Sequence, residues 1–260
     1  MTMTTRVIAV ANQKGGVGKT TTSVNLATAL TACGRRVLLV DFDPQGNAST
    51  GLGVEFEDRE QNSYKLIIGD VNAREMIKRS TVEGLDIIAA VVDLSAAEIE
   101  LSELEQREYR LRDTLQPVRS DYDYIIIDCP PSLGLLTVNA LCAADRLLVP
   151  LQCEFYALEG LSQLMRTVET VRARLNPNLG LQGIVLTMYD NRNKLSEQVA
   201  KDVRAHLGKL VYHTVIPRNV RVSEAPSFGQ PVLMYDLKCA GAQAYIALAA
   251  ELLTQEKEAA

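Results

Sequence analysis

Residues 7–21 read Val7-Ile8-Ala9-Val10-Ala11-Asn12-Gln13-Lys14-Gly15-Gly16-Val17-Gly18-Lys19-Thr20-Thr21: an apolar run, a glycine-rich turn, then Lys-Thr-Thr. The apolar run reads as a strand, and the threonines open a stretch with helical spacing. A strand that turns through glycines into a helix is where a parallel α/β sheet holds phosphate. The glycines let backbone N–H groups curl around the anion, and the helix N-terminus adds positive dipole. Gly15, Gly16, Val17 and Gly18 therefore read as a phosphate cradle, with Thr21 beside them. Lys19 is spaced to reach the β- and γ-phosphates of a nucleoside triphosphate, and the Thr20 hydroxyl to ligate Mg²⁺. The match to G-x-x-x-x-G-K-[ST] fails at Gln13, and the loop carries a second lysine, Lys14.

Outside the loop, apolar runs alternate with amphipathic stretches, the pattern of βαβ units. Strands are expected at 6–11, 36–41, 85–89, 124–128, 146–150, 183–187 and 211–216. Several are continuous Val/Ile/Leu runs, as strands buried on both faces require. Helical spacing covers 19–32, 98–116, 135–142, 158–175, 196–207 and 241–255. Gly34 stops the first helix, and Asn176-Pro177 stops another. No Gly/Ser/Pro-rich linker, internal repeat or low-complexity tract divides the sequence. The expected fold is α/β: a single doubly wound, mostly parallel sheet with helices on both faces, of the P-loop type. Residues 1–260 are expected to form one domain.

The 260 residues are 47% hydrophobic and 23% charged, near a soluble globular average, which excludes disordered and fibrous classes. A net charge of −5 argues against a chain coated in nucleic acid over its whole surface, and leaves room for a local basic face. No run reaches the roughly 18 apolar residues of a membrane span. Residues 1–6 lack the apolar core of a signal peptide. The five cysteines are scattered without a CxxC pair, so neither a disulfide framework nor a zinc site is expected, and a reducing cytoplasmic home is. With no Trp and four Phe, the core must be aliphatic.

Lys14 is the informative departure. Five residues before Lys19, it starts on the opposite side of the cradle, and Lys19 already serves the phosphates of its own chain. Lys14 is better placed to meet a nucleotide in another subunit. Lys14-Gly-Gly-Val-Gly-Lys-Thr-Thr21 is the deviant Walker A motif, and the sequence around it resembles the ParA-type partition ATPases, relatives of MinD and of the nitrogenase iron protein. Val40-Asp-Phe-Asp-Pro-Gln-Gly-Asn47, Asp128-Cys-Pro-Pro131 and residues 151–160, 187–190 and 215–226 are similar to that family; residues 54–116 are least so.

The resemblance implies an ATPase that uses ATP and Mg²⁺, with Lys14 crossing a dimer interface to the partner's ATP. It places the water-orienting role on Asp43, close to the metal, and a metal-side role on Asp128, through water. Both follow strands, at the edge where ligands bind in open α/β sheets. Asp41 falls to the switch or the metal shell, though a strand-end Asp is also a common helix cap. Pro217 and Asn219 are assigned to cradling adenine.

Between residues 186 and 238 lie eight Lys/Arg against five Asp/Glu, in an otherwise acidic chain. On the helix near 196–207, Leu195, Val199, Val203 and Leu207 recur at four-residue spacing and face inward. Lys194, Lys201 and Arg204 then lie on the other side, and Arg192, Arg218 and Arg221 come from nearby loops. Such a patch suits sequence-independent phosphate contacts. By itself it reads first as a solvated face; the resemblance implies nonspecific double-stranded DNA. It also implies a homodimer in the ATP state, a ParB-like centromere-binding partner that stimulates hydrolysis, and a nucleoid-associated, cytoplasmic protein that segregates chromosome or plasmid DNA. No room for a helix-turn-helix precedes the first strand, so operator-specific binding is not expected. Three alternatives stand beside this: positioning of a protein cluster, an iron–sulfur carrier, and a MinD-like membrane-associated regulator. The cysteine spacing does not suit the second. The third needs a basic amphipathic C-terminal helix, where this chain reads Ala250-Glu-Leu-Leu-Thr-Gln-Glu-Lys-Glu-Ala-Ala260; no membrane is expected.

Overall fold

Strands β1 (Arg6–Val10), β2 (Val37–Asp41), β3 (Lys78–Arg79), β4 (Leu85–Ile88), β5 (Tyr124–Asp128), β6 (Arg146–Gln152), β7 (Gly180–Tyr189) and β8 (Val211–Pro217) form one sheet in the order β3-β4-β2-β5-β1-β6-β7-β8. The computed structural model describes residues 5–69 and 71–258. Neighbouring strands run parallel, except that β3 is antiparallel to β4. The fold expected from the sequence is the one observed.

The helices are α1 (Lys19–Ala32), α2 (Asn47–Gly51), α3 (Ser63–Ile68), α4 (Ala73–Met76), α5 (Ala97–Glu100), α6 (Arg110–Leu115), α7 (Leu135–Ala143), α8 (Ala157–Arg174), α9 (Lys194–Leu207), α10 (Val220–Glu224), α11 (Val232–Tyr235) and α12 (Ala240–Glu258). Side chains alternate across each strand, and this alternation assigns the two helical layers. Val7, Ala9, Ile125 and Ile127 join a core with Leu136, Leu164 and Val203 of α7, α8 and α9. Ile8, Val10, Tyr124 and Ile126 join a second core with Leu26, Leu30, Tyr245 and Leu252 of α1 and α12. Each such Ile or Leu contributes about 1.5–3 kcal/mol by leaving water. In the parallel register Asp128 lies beside Val10 on one side and Asp41 on the other. Three strands thus end at one level, and that level carries the site.

Two expectations need correction. The helix expected over 98–116 is broken into α5 and α6, joined by 3₁₀ turns and by Gln106 in the left-handed region, φ 53°. Buried Asn139 of α7 takes the hydrogen bonds a continuous helix would have made: its Oδ1 accepts from the Leu111 amide (3.2 Å) and its Nδ2 donates to the Arg107 carbonyl (2.9 Å). On α9, Leu195 is exposed rather than inward. The Asn193 side chain caps the helix on the Leu195 amide, and the buried stripe runs through Ser196, Val199, Ala200 and Val203, with Leu207 half-buried.

The sheet's two edges are finished differently. At one lies the two-residue strand β3, Lys78–Arg79. At the other, the Glu251 carboxylate of α12 accepts from the backbone amides of His213 (2.7 Å) and Thr214 (2.9 Å) in β8. Among the described residues no helix is long and apolar enough to cross a membrane.

Candidate nucleotide site

The loop between β1 and α1 is built as its sequence requires. Gly16 and Gly18 adopt φ of 74° and 86°, a region that glycine enters without penalty. Gly18 is also the N-cap of α1 and offers no side-chain acceptor, so no cap competes for the helix's first amides. A cleft of about 400 Å³ opens there, lined by Gly15, Gly16, Gly18, Lys19, Thr20, Thr21, Asp43, Gln45, Asn47, Pro131 and Met188. It adjoins a second pocket of about 270 Å³ that shares Gly18, Thr21 and Met188 and adds Pro217, Asn219, Val222 and Tyr245. The two assigned base-contacting residues, Pro217 and Asn219, are therefore brought to the loop. Asn219 also caps α10, its side chain accepting from the Val222 amide. Val17 is buried beneath the loop, its carbonyl accepting from the Thr187 hydroxyl at 2.8 Å.

Lys19 is 6% exposed, and its Nζ donates to the Lys14 carbonyl at 2.9 Å. Burial lowers its pKa, while Asp128, Cys129 and Asp43 act in the opposite sense. Asp128 is fully buried; one carboxylate oxygen accepts from the Ser23 hydroxyl at 2.8 Å, and the other has no partner among the described residues. Desolvation, then the Asp41 charge, pushes its carboxyl well above the usual carboxylate range. Asp41 is also fully buried and is raised, chiefly by desolvation. Its oxygens are already engaged: Oδ2 accepts from the Ser49 amide and hydroxyl, both at 2.7 Å, and Oδ1 from the Asp43 amide at 3.3 Å. Asp41 therefore ties α2 to the end of β2 rather than lining the cleft. Asp43 does line it, with Oδ1 accepting from the Gln45 amide at 3.0 Å.

A residue the sequence reading passed over completes this edge. Arg59 is 7% exposed. Its guanidinium donates to the carbonyls of Gly46, Val54 and Ala90 and to the Thr50 hydroxyl, clamping the Asp43–Asn47 turn to the end of β4. Gly46 has φ 63°, and a Cβ there would lie 2.3 Å from an Arg59 nitrogen. Nothing in the local sequence marks Arg59, because its acceptors are mainly main-chain carbonyls, which residues of any type supply.

Lys14 is placed apart from Lys19. Its side chain is 42% exposed and pairs with Glu154, in the turn between β6 and α8, instead of entering the cleft. The flanking residues hold that arrangement: Asn12 Nδ2 donates to the Pro150 carbonyl at 2.8 Å, and Gln13 Nε2 to the Gly160 carbonyl at 3.2 Å.

The expected basic face is only partly assembled. Arg192 and Arg218 line one pocket of about 760 Å³ between the ends of β7 and β8 and helix α12. Arg192 makes a two-pronged pair with Asp190, both contacts at 3.0 Å, which pulls that carboxyl down to about 2. Lys194 is exposed at the start of α9, Lys201 pairs with Glu197 at 2.7 Å, and Arg204 donates to the His213 carbonyl at 3.2 Å. Arg221 sits on α10 among acids, pairing with Glu224 at 2.9 Å and Asp236 at 3.6 Å.

A family model described as an AAA domain matches residues 5–181. The chain is 62% identical over 255 residues to the chromosome partitioning protein ParA of Caulobacter vibrioides, covering 97% of this chain and 96% of that one. This chain belongs to the ParA/Soj family of partitioning ATPases. A further ParA/Soj relative, the sporulation initiation inhibitor protein Soj of Bacillus subtilis, is 55% identical over 247 residues, 95% and 98% of the two chains. Among solved structures, Mycobacterium smegmatis cobyrinic acid a,c-diamide synthase with bound ADP and magnesium aligns with a TM-score of 0.86 at 42% identity, covering 98% and 97%. The loop described above is accordingly the P-loop of a ParA/Soj ATPase.

Proposed function

We propose that this protein is an ATP-driven DNA-partitioning ATPase, working as one domain, that dimerises on ATP, binds double-stranded DNA without sequence preference and is stimulated to hydrolyse ATP by a ParB-like partner. One observation carries the reading: the loop holds two lysines in two environments, Lys19 buried at the cradle and Lys14 outside it on the surface. A monomer has no phosphate for Lys14, whereas a two-fold partner does.

In this assignment the amides of Gly15 to Thr21 and the Lys19 ammonium bind the triphosphate, and Pro217 and Asn219 bound the base. Asp43 orients the attacking water. The donor set suits Mg²⁺, a hard cation held through one or two protein oxygens and the phosphates themselves. Thr20 offers a hydroxyl at the cleft, Asp128 has an unsatisfied buried oxygen, and Asp43 is close by. Thr20 and Asp43 would hold the ion, with Asp128 acting through water, and the ion when bound neutralises phosphate charge. Lys19→Ala removes the cation at the cradle, and ATP affinity should fall at least about 10²-fold, since charge-assisted bonds are each worth about 1.5–3 kcal/mol. Titration calorimetry checks this; micromolar affinity in the variant refutes the cradle assignment.

Arg192, Lys194, Lys201, Arg204, Arg218 and Arg221 are assigned to DNA phosphates, placing the protein in the cytoplasm on the nucleoid. Charge reversal of any two should weaken binding to every duplex alike and flatten its salt dependence. Unchanged ATP-dependent gel shifts would mean that the face is only solvated. Arg221, neutralised by two acids, should contribute least of the six.

A further inference from the structure

Arg59 follows the 3₁₀ turn Phe56–Asp58, and its side chain is buried. Nε and Nη2 both donate to the Val54 carbonyl, at 3.2 and 2.8 Å. Nη2 also donates to the Thr50 hydroxyl at 2.7 Å, and Nη1 to the carbonyls of Gly46 at 3.2 Å and Ala90 at 3.3 Å. Every one of these acceptors is a neutral oxygen. Burial lowers the guanidinium pKa, while the charges of Asp41 and Glu55 act in the opposite sense. A buried cation held only by neutral groups costs more than apolar filling of the same space. Packing alone does not account for an arginine here.

What the guanidinium joins does. From Gly46 the bonds run straight to Asp43: the Gly46 amide donates to the Asp43 carbonyl at 2.9 Å, and the Gln45 amide to Asp43 Oδ1 at 3.0 Å. On the other side stands Ala90, just past β4. Its carbonyl accepts from Arg59 and its amide donates to Ser49 Oγ at 3.0 Å, so both of its main-chain groups hold the 46–49 segment. Helix α2 has five residues and no side-chain cap, too little to hold the turn alone. The fit has no slack, since a Cβ on Gly46 would lie 2.3 Å from Nη1 and 3.1 Å from the Ala90 carbonyl oxygen.

We infer that Arg59 is a positioning residue for ATP hydrolysis, fixing the turn that carries Asp43 against the sheet so that its carboxylate meets the attacking water in register. The inference rests on the water-orienting role assigned above to Asp43. Such a group must be held to within about 0.5 Å, and a misplacement of about 1 Å costs about 10²-fold in rate. The Asp43 carboxylate bonds only to its own turn, at Gln45, so its precision is that of the turn. None of the Arg59 bonds reaches the cradle, Gly15 to Thr21, and nucleotide affinity is therefore independent of the clamp.

Arg59→Lys keeps the charge and loses the fork. In the full chain, single-turnover phosphate release from radiolabelled ATP with Mg²⁺ should slow about 10–10²-fold, while ATP affinity stays near unchanged. Without nucleotide, the amides of Gln45 and Gly46 should exchange with solvent at least about tenfold faster, and those of β5 at the parent rate. Thr50→Val removes one acceptor of the fork on an exposed residue. It should show the same pattern at smaller amplitude, and it decides the matter if Arg59→Lys does not fold. Because the two residues act along one route, Asp43→Ala combined with Arg59→Lys should be no slower than Asp43→Ala alone. Losses that multiply overturn the inference, showing that Arg59 acts elsewhere. So do normal release, unchanged exchange in the turn, or an ATP affinity that falls in step with the rate. If Asp43→Ala itself releases phosphate at the parent rate, the role of Asp43 falls, and that of Arg59 with it.

Discussion

Asp43→Ala binds ATP with near-unchanged affinity, hydrolyses it about 10²–10⁴-fold more slowly, the range of a positioned acid–base group, and accumulates as an ATP-bound dimer. The expectation follows from where Asp43 sits. It lines the cleft while the cradle is built from other residues, Gly15 to Thr21. Its structural load is small, one bond to the Gln45 amide, because Asp41 and Arg59 hold the surrounding turn. Steady-state phosphate release and light scattering with ATP and Mg²⁺ check the two halves separately. Normal turnover, or a monomer in the presence of ATP, removes Asp43 from its assigned role.

Lys14→Ala produces the complementary loss. ATP binding stays near normal, since Lys14 does not enter its own cleft, but the dimer, DNA binding and partner-stimulated hydrolysis all disappear. In the proposed reading DNA binding would depend on the dimer through number: two basic faces held together would contact more phosphates than one, and effective concentration would steepen the affinity. If the γ-phosphate forms part of the contact, ATP and ADP differ in the dimer they support, and hydrolysis becomes the release step. Light scattering of Lys14→Ala combined with Asp43→Ala is decisive. A dimer that survives the combination shows that Lys14 does not bridge subunits.

Much of the architecture is legible in the sequence because parallel strands buried on both faces leave continuous apolar runs. Tyr124–Asp128 and Lys19–Ala32 are found with the bounds expected. Legibility fails where a distant group decides the backbone. The break in 98–116 depends on Asn139, 28 and 32 residues from its partners, whereas the start of α9 that exposes Leu195 is a local Asn193 cap. The short helices α3 and α4 were within reach, as Asn62 and Asn72 cap them by local bonds to the Lys65 and Arg74 amides. The loop residues of the site are legible for the same local reason: their roles follow from chain direction and glycine conformation. Arg59 and the Asp41–Ser49 tether are not, since their bonds cross the turns between elements and follow no strand or helix repeat. The acidic partners of Arg192, Lys201 and Arg221 were hidden too, because counting charges along a segment does not say which ones meet.

The two finished edges of the sheet bear on how such a protein can be concentrated. An open edge strand offers unpaired amides and carbonyls on which another molecule can add a strand, and fibrils grow that way. Here one edge stops at Lys78–Arg79, too short and too cationic to template a ladder, and at the other Glu251 already takes the amides of His213 and Thr214. Copies of the chain can then be concentrated without zipping into β-polymers.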